Sequence, residues 1–128
     1  KGEHEFIYSL LPHRGGFIEG HTIEEANQLN LPAQAIAGRF ADVRKVVKID
    51  GQGVQIDAVK KAEDEECLVV RFHEWYGGRK RMKLMSEYPV KKMVECNLLE
   101  HDIEEISQGP EAELTMKPFE IKTVKLYM

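Results

Sequence analysis

The sequence predicts an all-β protein, an antiparallel β-sandwich with one short helix near residues 23–30. Three observations predict it. Short runs alternate apolar and polar residues, most cleanly where Ala112, Leu114 and Met116 interleave with Glu111, Glu113 and Thr115, the period of a half-buried strand. Turn-forming stretches, such as "KAEDEE" at 61–66 and the pair Gly77-Gly78, separate these runs. Only one stretch carries convincing helical spacing.

The elements follow in order. Residues 6–11, Phe-Ile-Tyr-Ser-Leu-Leu, are apolar on both alternating faces, which predicts a strand buried on both sides. "PHRGG" at 12–16 ends it. Thr22-Ile23-Glu24-Glu25 has capping-box spacing: the threonine hydroxyl can accept from the backbone N–H three residues on, and Glu25 can reach back. Ile23, Ala26, Leu29 and Asn30 continue at helical spacing and Pro32 closes the segment, giving about two turns of helix over 23–30. Residues 31–45, "LPAQAIAGRFADVRK", have no firm period and read as a connection.

From there the pattern is that of strands. Residues 46–49 are short and β-branched. Val54, Ile56 and Ala58 alternate with Gln55 and Asp57, and Leu68, Val70 and Phe72 alternate with Val69 and Arg71. Met82 and Leu84 mark the next strand, and Pro89 opens "VKKMVECNLLE". In 119–128 the apolar positions switch phase, from Phe119 and Ile121 to Val124 and Leu126, which predicts a bulge near Thr123.

The stretch "FHEWYGGRKRM", residues 72–82, raises the question of function. Residues 67–76 and 79–85 are expected to pair as a hairpin across the glycines. A two-residue turn would set Phe72 opposite Lys83. A three-residue loop at 76–78 sets Phe72 opposite Met82, Val70 opposite Leu84 and Glu74 opposite Lys80, and this register wins on apolar and charge matching. Glycine supplies the left-handed residue such a loop needs. The same register gathers Arg71, His73, Trp75, Arg79, Arg81 and Lys83 on the outer face. A hairpin tip with a charged outer face explains this, but so does a sugar-stacking or domain-contact surface, because an indole offers an apolar face and one N–H donor. The candidate substrate-binding or domain-interface residues are therefore His73, Trp75, Tyr76 and Arg79.

Bulk properties narrow the classes. At 128 residues the chain is of single-domain size and reads as one sandwich over 1–128. No apolar run approaches the roughly 20 residues of a membrane span, and the first residues lack the basic start of a signal peptide. A net charge of -4 argues against nucleic acid, since phosphate binding needs a basic field that Arg79, Lys80, Arg81 and Lys83 are too few to create. Cys67 and Cys96 have apolar neighbours and no metal-like spacing, so both are expected to be buried and reduced, with a cross-strand disulfide as the lesser alternative. The chain starts without methionine and enters an apolar run at once, as a piece of a longer protein would.

Catalytic motifs are not evident. "EDEE" at 63–66 and "EHDIEE" at 100–105 read as solvated turns rather than as a carboxylate pair flanking a sugar cleft. His4, His13, His21, His73 and His101 are too far apart in sequence for a zinc motif, and "HEWYG" lacks the second histidine of HExxH. "HRGG" lacks a phosphate-loop setting, and Ser9 and Ser86 have no nucleophile context.

Five segments in order, "HEFIYSLLPHRGGF", "EANQLNLP", "VQIDAVKKAEDEECLVVRFHEWYGGR", "VKKMVECNLLE" and "MKPFEIKTVKLYM", resemble the C-terminal β region of glycoside hydrolase family 38 α-mannosidases. The resemblance covers most of the chain. It implies a retaining glycosidase that cleaves α-mannosidic bonds at a zinc-containing site, with the zinc ligands and aspartate nucleophile in an N-terminal α/β domain that these residues do not match. No catalytic residue, metal ligand or cofactor is thus assigned to this chain, and zinc is expected in the catalytic domain of the same polypeptide. The chain alone is expected to be inactive, a supporting domain that meets the mannoside only through its parent enzyme. A stand-alone carbohydrate-binding sandwich using Trp75, and an interaction module without a sugar role, are the alternatives. Absence of Asn-x-Ser/Thr acceptors, of a signal and of a disulfide pattern suggests a cytoplasmic location.

Overall fold

The computed structural model describes residues 1–39 and 44–128. The connection expected at 31–45 therefore includes residues 40–43, outside the described residues. The chain divides into two compact units, Lys1–Phe40 and Ala41–Met128.

In the first unit, the helix α1 spans Thr22–Asn30. Its start departs from the expected capping box. His21 takes the N-cap in a left-handed conformation (φ 49°) with no side-chain cap, and the Thr22 hydroxyl lies 3.5 Å from His13 Nε2. Glu24 and Glu25 still occupy the first turn, where the helix dipole favours negative charge. The Leu31 N–H donates to the Asn27 carbonyl (2.7 Å) just before Pro32. The strand expected at 6–11 does not form. These residues have no ladder partner among the described residues, and a strand cannot satisfy its backbone groups without one.

Among the described residues the second unit carries eight strands: β1 (Lys48–Asp50), β2 (Val54–Lys61), β3 (Leu68–Glu74), β4 (Lys80–Met85), β5 (Lys92–Cys96), β6 (Asp102–Ser107), β7 (Glu111–Met116) and β8 (Ile121–Tyr127). They form two antiparallel sheets, one of order β1-β4-β7 and one of order β2-β3-β8-β5-β6. The all-β sandwich is as predicted. Its core lies between the sheets, with Val70, Phe72, Met93, Val124 and Leu126 facing Met82, Leu84, Ala112, Leu114 and Met116. Alternation explains this: each strand sends every second residue inward, and those positions are apolar.

The expected β3–β4 hairpin is wrong in both registers. Phe72 pairs with Ile56 on one side and Lys122 on the other, while Met82 pairs with Leu114. Residues 75–79 instead cross from the larger sheet to the smaller. Alternation fixes which face a residue occupies but not which strand lies beside it, so Phe72 and Met82 meet across the core rather than along a ladder. The predicted cationic face is split accordingly. Arg71 and His73 lie on the outside of the larger sheet, and Arg81 and Lys83 on the outside of the smaller.

Two further differences have physical causes. The register of β8 runs unbroken through Thr123 against β3 and up to Thr123 against β5, so no bulge exists there. Phe119 precedes β8 and Ile121 is exposed, so the early phase marks no core face; within the central β8, Thr123, Val124, Lys125 and Leu126 are all buried. The bulge sits in β2, between Ile56 and Ala58. The expected solvated turn at 100–105 is largely strand β6, a polar edge whose register shifts twice against β5. Charge and bulges blunt such an edge against unwanted pairing.

Candidate functional site

The inward face of β3 runs Val70, Phe72, Glu74, so apolar alternation delivers a carboxylate to a fully buried position at the strand end. Backbone amides satisfy it. Oε1 accepts from the N–H groups of Tyr76 (3.0 Å) and Gly78 (3.2 Å), and Oε2 from those of Gly77 (2.9 Å) and Phe119 (2.9 Å). Burial pushes the Glu74 carboxyl up, but the four donors more than offset this and hold it below the usual carboxylate range. One side chain thus fixes both the sheet crossing at 75–79 and the turn before β8.

Two backbone conformations depend on this anchor. Gly77 has φ 80°, and a Cβ there would meet the Phe119 ring at 2.8 Å. Phe119 itself has φ 58°, a left-handed conformation rare for a bulky residue, yet its side chain is 72% exposed. The ring of Tyr76 lies 6.2 Å from that of Trp75, tilted by 58°. Lys80 Nζ sits 4.1 Å above the Tyr76 ring centroid, a cation–π contact. The Trp75 backbone N–H donates to the Gly53 carbonyl at 2.9 Å.

Of the sequence-predicted residues, Trp75 and Tyr76 come together, and Arg79 is exposed on the same crossing. His73 points elsewhere. Its Nδ1 lies 2.8 Å from both carboxylate oxygens of Asp57, the unpaired residue of the β2 bulge, on the outer face of the larger sheet. Sequence reasoning missed Glu74, Phe119 and Lys80. Glu74 was accessible, since it continues the Val70-Phe72 parity inward and precedes a glycine pair whose amides need an acceptor.

A second polar cluster lies on the outer face of the larger sheet. The "EDEE" and 100–105 carboxylates are not simply solvated there, because several are engaged by lysines. The Lys125 side chain is 3% exposed and pairs with Glu65 at 2.6 Å and Asp102 at 2.8 Å. Burial disfavours its charge, but the hydrogen bonds it donates to Asp102 and Glu65 win and raise its pKa. The Tyr127 hydroxyl also donates to Glu65, and Lys60 pairs with Glu100 at 2.7 Å. Lys125 holds Glu65 below the usual carboxylate range, and Lys60 does the same for Glu100. A cavity of about 330 Å³ lies beside them, lined in part by Leu99, His101 and Lys125. Carboxyls shifted in this direction stay charged at neutral pH, whereas a glycosidase acid must be shifted upward to carry a proton.

Among the described residues no three His, Cys, Asp or Glu side chains group so as to hold a metal. The described residues do not fit a zinc site. Fold and site together define a β-sandwich module with an aromatic tip braced by Glu74.

The C-terminal beta sandwich domain of glycosyl hydrolases family 38 matches residues 53–124, from the start of β2 into β8. The chain belongs to that family. Alpha-mannosidase G of Dictyostelium discoideum is 32% identical over 97% of this chain, and Alpha-mannosidase 2C1 of Mus musculus 31% identical over 99%. An alpha-mannosidase of Saccharomyces cerevisiae is 26% identical over 98%. The chain spans only 12%, 13% and 14% of those three relatives.

Proposed function

We propose that this chain is the non-catalytic C-terminal supporting domain of a retaining α-mannosidase, and that its aromatic tip is the surface it turns toward the catalytic domain. The whole protein hydrolyses α-mannosidic bonds in carbohydrate metabolism. Its zinc and catalytic carboxylates lie in the catalytic domain of the same polypeptide. The observation that carries the tip assignment is Phe119. An exposed aromatic ring held in a left-handed conformation by a buried carboxylate is strain without benefit to the sandwich, and such strain collects where another group binds. Trp75, Tyr76 and Arg79 lie on the crossing that the same carboxylate anchors, a set suited to an apolar partner face with a carboxylate or sugar hydroxyl for the guanidinium. His73, tied to Asp57 on the outer face of the larger sheet, lies apart from this surface. Two buried free thiols suit a reducing, cytoplasmic setting. Among the described residues no helix is long and apolar enough to cross a membrane.

The test compares the chain with the whole polypeptide. The whole polypeptide should turn over an aryl α-mannoside and the chain alone should not. Within the whole polypeptide, Trp75→Ala and Arg79→Ala should each cost about 1–3 kcal/mol in activity or stability. In the chain alone, Arg79→Ala should stay within about 0.5 kcal/mol of the parent. Equal effects of Arg79→Ala in both settings would show that the residue serves only the sandwich. Saturable binding of free mannose by the chain alone would favour a self-standing sugar-binding module instead.

A further inference from the structure

Residues 6–11 are built for an environment that their own unit does not provide. In an extended chain Phe6, Tyr8 and Leu10 share one side, and Ile7 and Leu11 the other. The structure retains that geometry in part, since Phe6 and Tyr8, two residues apart, stack with ring centroids 6.3 Å apart. Yet Phe6, Ile7, Tyr8 and Leu10 are 79%, 79%, 84% and 89% exposed. The helix α1 buries none of its residues either. A groove of about 390 Å³ between helix and segment is lined by Leu11, Ala26 and Leu29, with polar residues at its rim. Apolar side chains on both faces are the mark of a strand inside a sheet covered on both sides.

We infer that residues 6–11 are a donated strand: they add by main-chain hydrogen bonds to a sheet edge in the part of the polypeptide that precedes this domain, with α1 covering one face. Three facts select that occupant. The family's C-terminal sandwich domain matches residues 53–124 and leaves the first unit outside it. The relatives nevertheless align over 97% and 99% of this chain, so the first unit belongs to the shared polypeptide. The same chain is only 12% and 13% of their lengths, so most of the polypeptide is available to accept the strand. A second copy of this chain offers few acceptors. Both edges of the larger sheet, β2 and β6, are interrupted by register shifts, and β1 is three residues long, which among the described residues leaves β7 as the one regular edge. The inference rests on the proposed function only in taking the chain as part of a longer polypeptide, not on its activity.

Amide hydrogen exchange on the chain alone and on the whole polypeptide tests it. In the chain alone, the amides of residues 6–11 should exchange at unprotected rates. In the whole polypeptide they should slow by at least about 100-fold, as ladder amides do. Tyr8→Pro, which removes one donor and bends the strand, should abolish protection at the flanking amides there. Unprotected 6–11 amides in the whole polypeptide overturn the inference. So does protection in the chain alone that grows with concentration, which would make a second copy the acceptor. An aryl α-mannoside assay on the same preparation separates the two proposals. Protected amides without turnover sink the mannosidase function and keep the strand; turnover with unprotected amides does the reverse.

Discussion

Replacing Glu74 with glutamine is the sharpest test of the tip. The two carboxylate oxygens each accept from two backbone amides, at 2.9–3.2 Å. Glutamine keeps one oxygen, so whichever way its amide turns, two N–H groups retain an acceptor and two face an NH2 donor. A hydrogen bond to a charged acceptor contributes about 1.5–3 kcal/mol, which would put the loss of two near 3–6 kcal/mol. Tyr76, Gly77 and Phe119 are exposed, so freed amides can turn to water and recover part of this. We expect a net loss of about 2–4 kcal/mol, or roughly 10–25 °C in Tm for a sandwich of this size. Urea unfolding followed through Trp75, the only tryptophan, reads it directly.

The pH dependence carries a second signature. Glu74 is depressed in the folded state, so its contribution is present above the unfolded value of about 4.3 and fades as pH falls through the folded one. The gap between parent and Glu74→Gln should therefore be full at pH 7 and narrow toward pH 3. Glu65 and Glu100, also depressed, are common to both proteins and cancel in the difference. A variant within about 0.5 kcal/mol of the parent at pH 7, or a gap unchanged at pH 3, would refute the anchoring role.

Lys125 offers a comparison of opposite changes. Lys125→Met puts an apolar side chain beside its ladder partners Val69 and Val94 and frees two carboxylates that are already half-exposed, so it should unfold close to the parent. The double change Glu65→Ala with Asp102→Ala strands a buried ammonium and should lower the thermal midpoint further; the reverse order would contradict the account. Cys67 and Cys96 should both resist a thiol reagent at pH 8 and react fully on unfolding. Burial raises both thiols, Cys96 to about 11, which leaves about one thiolate in a thousand at that pH. Rapid labelling of either in the native protein would overturn this.

How much was legible differs between face and partner. Val70, Phe72, Met82, Leu84, Ala112, Leu114 and Met116 all point inward as their alternation says, because the period of two belongs to each strand alone. Pairing does not. The glycines at 77 and 78 look the same whether the chain turns back along one sheet or crosses to the other, so the hairpin was inferred from a signal that two topologies share. The site followed the same division. Aromatic content located the tip, while Phe119, far along the chain, could be joined to it only through the fold. Lys125 escaped because a charged residue in an apolar run reads as an outward position, and nothing local shows that both faces of β8 are covered.

The position of β8 has a consequence for how the domain is made. It comes last of the eight strands, yet it lies at the centre of the larger sheet, between β3 and β5. The β2–β3 and β5–β6 pairs can each close locally, but no ladder joins them until residues 121–127 arrive. During synthesis the larger sheet therefore waits as two separate hairpins, beside a smaller sheet that does not need β8, and such incompletely covered apolar faces invite chaperone binding and aggregation. Seven residues decide when that wait ends. A message truncated before Ile121 would yield a chain that keeps the smaller sheet and both outer pairs of the larger one, with no strand to join those pairs.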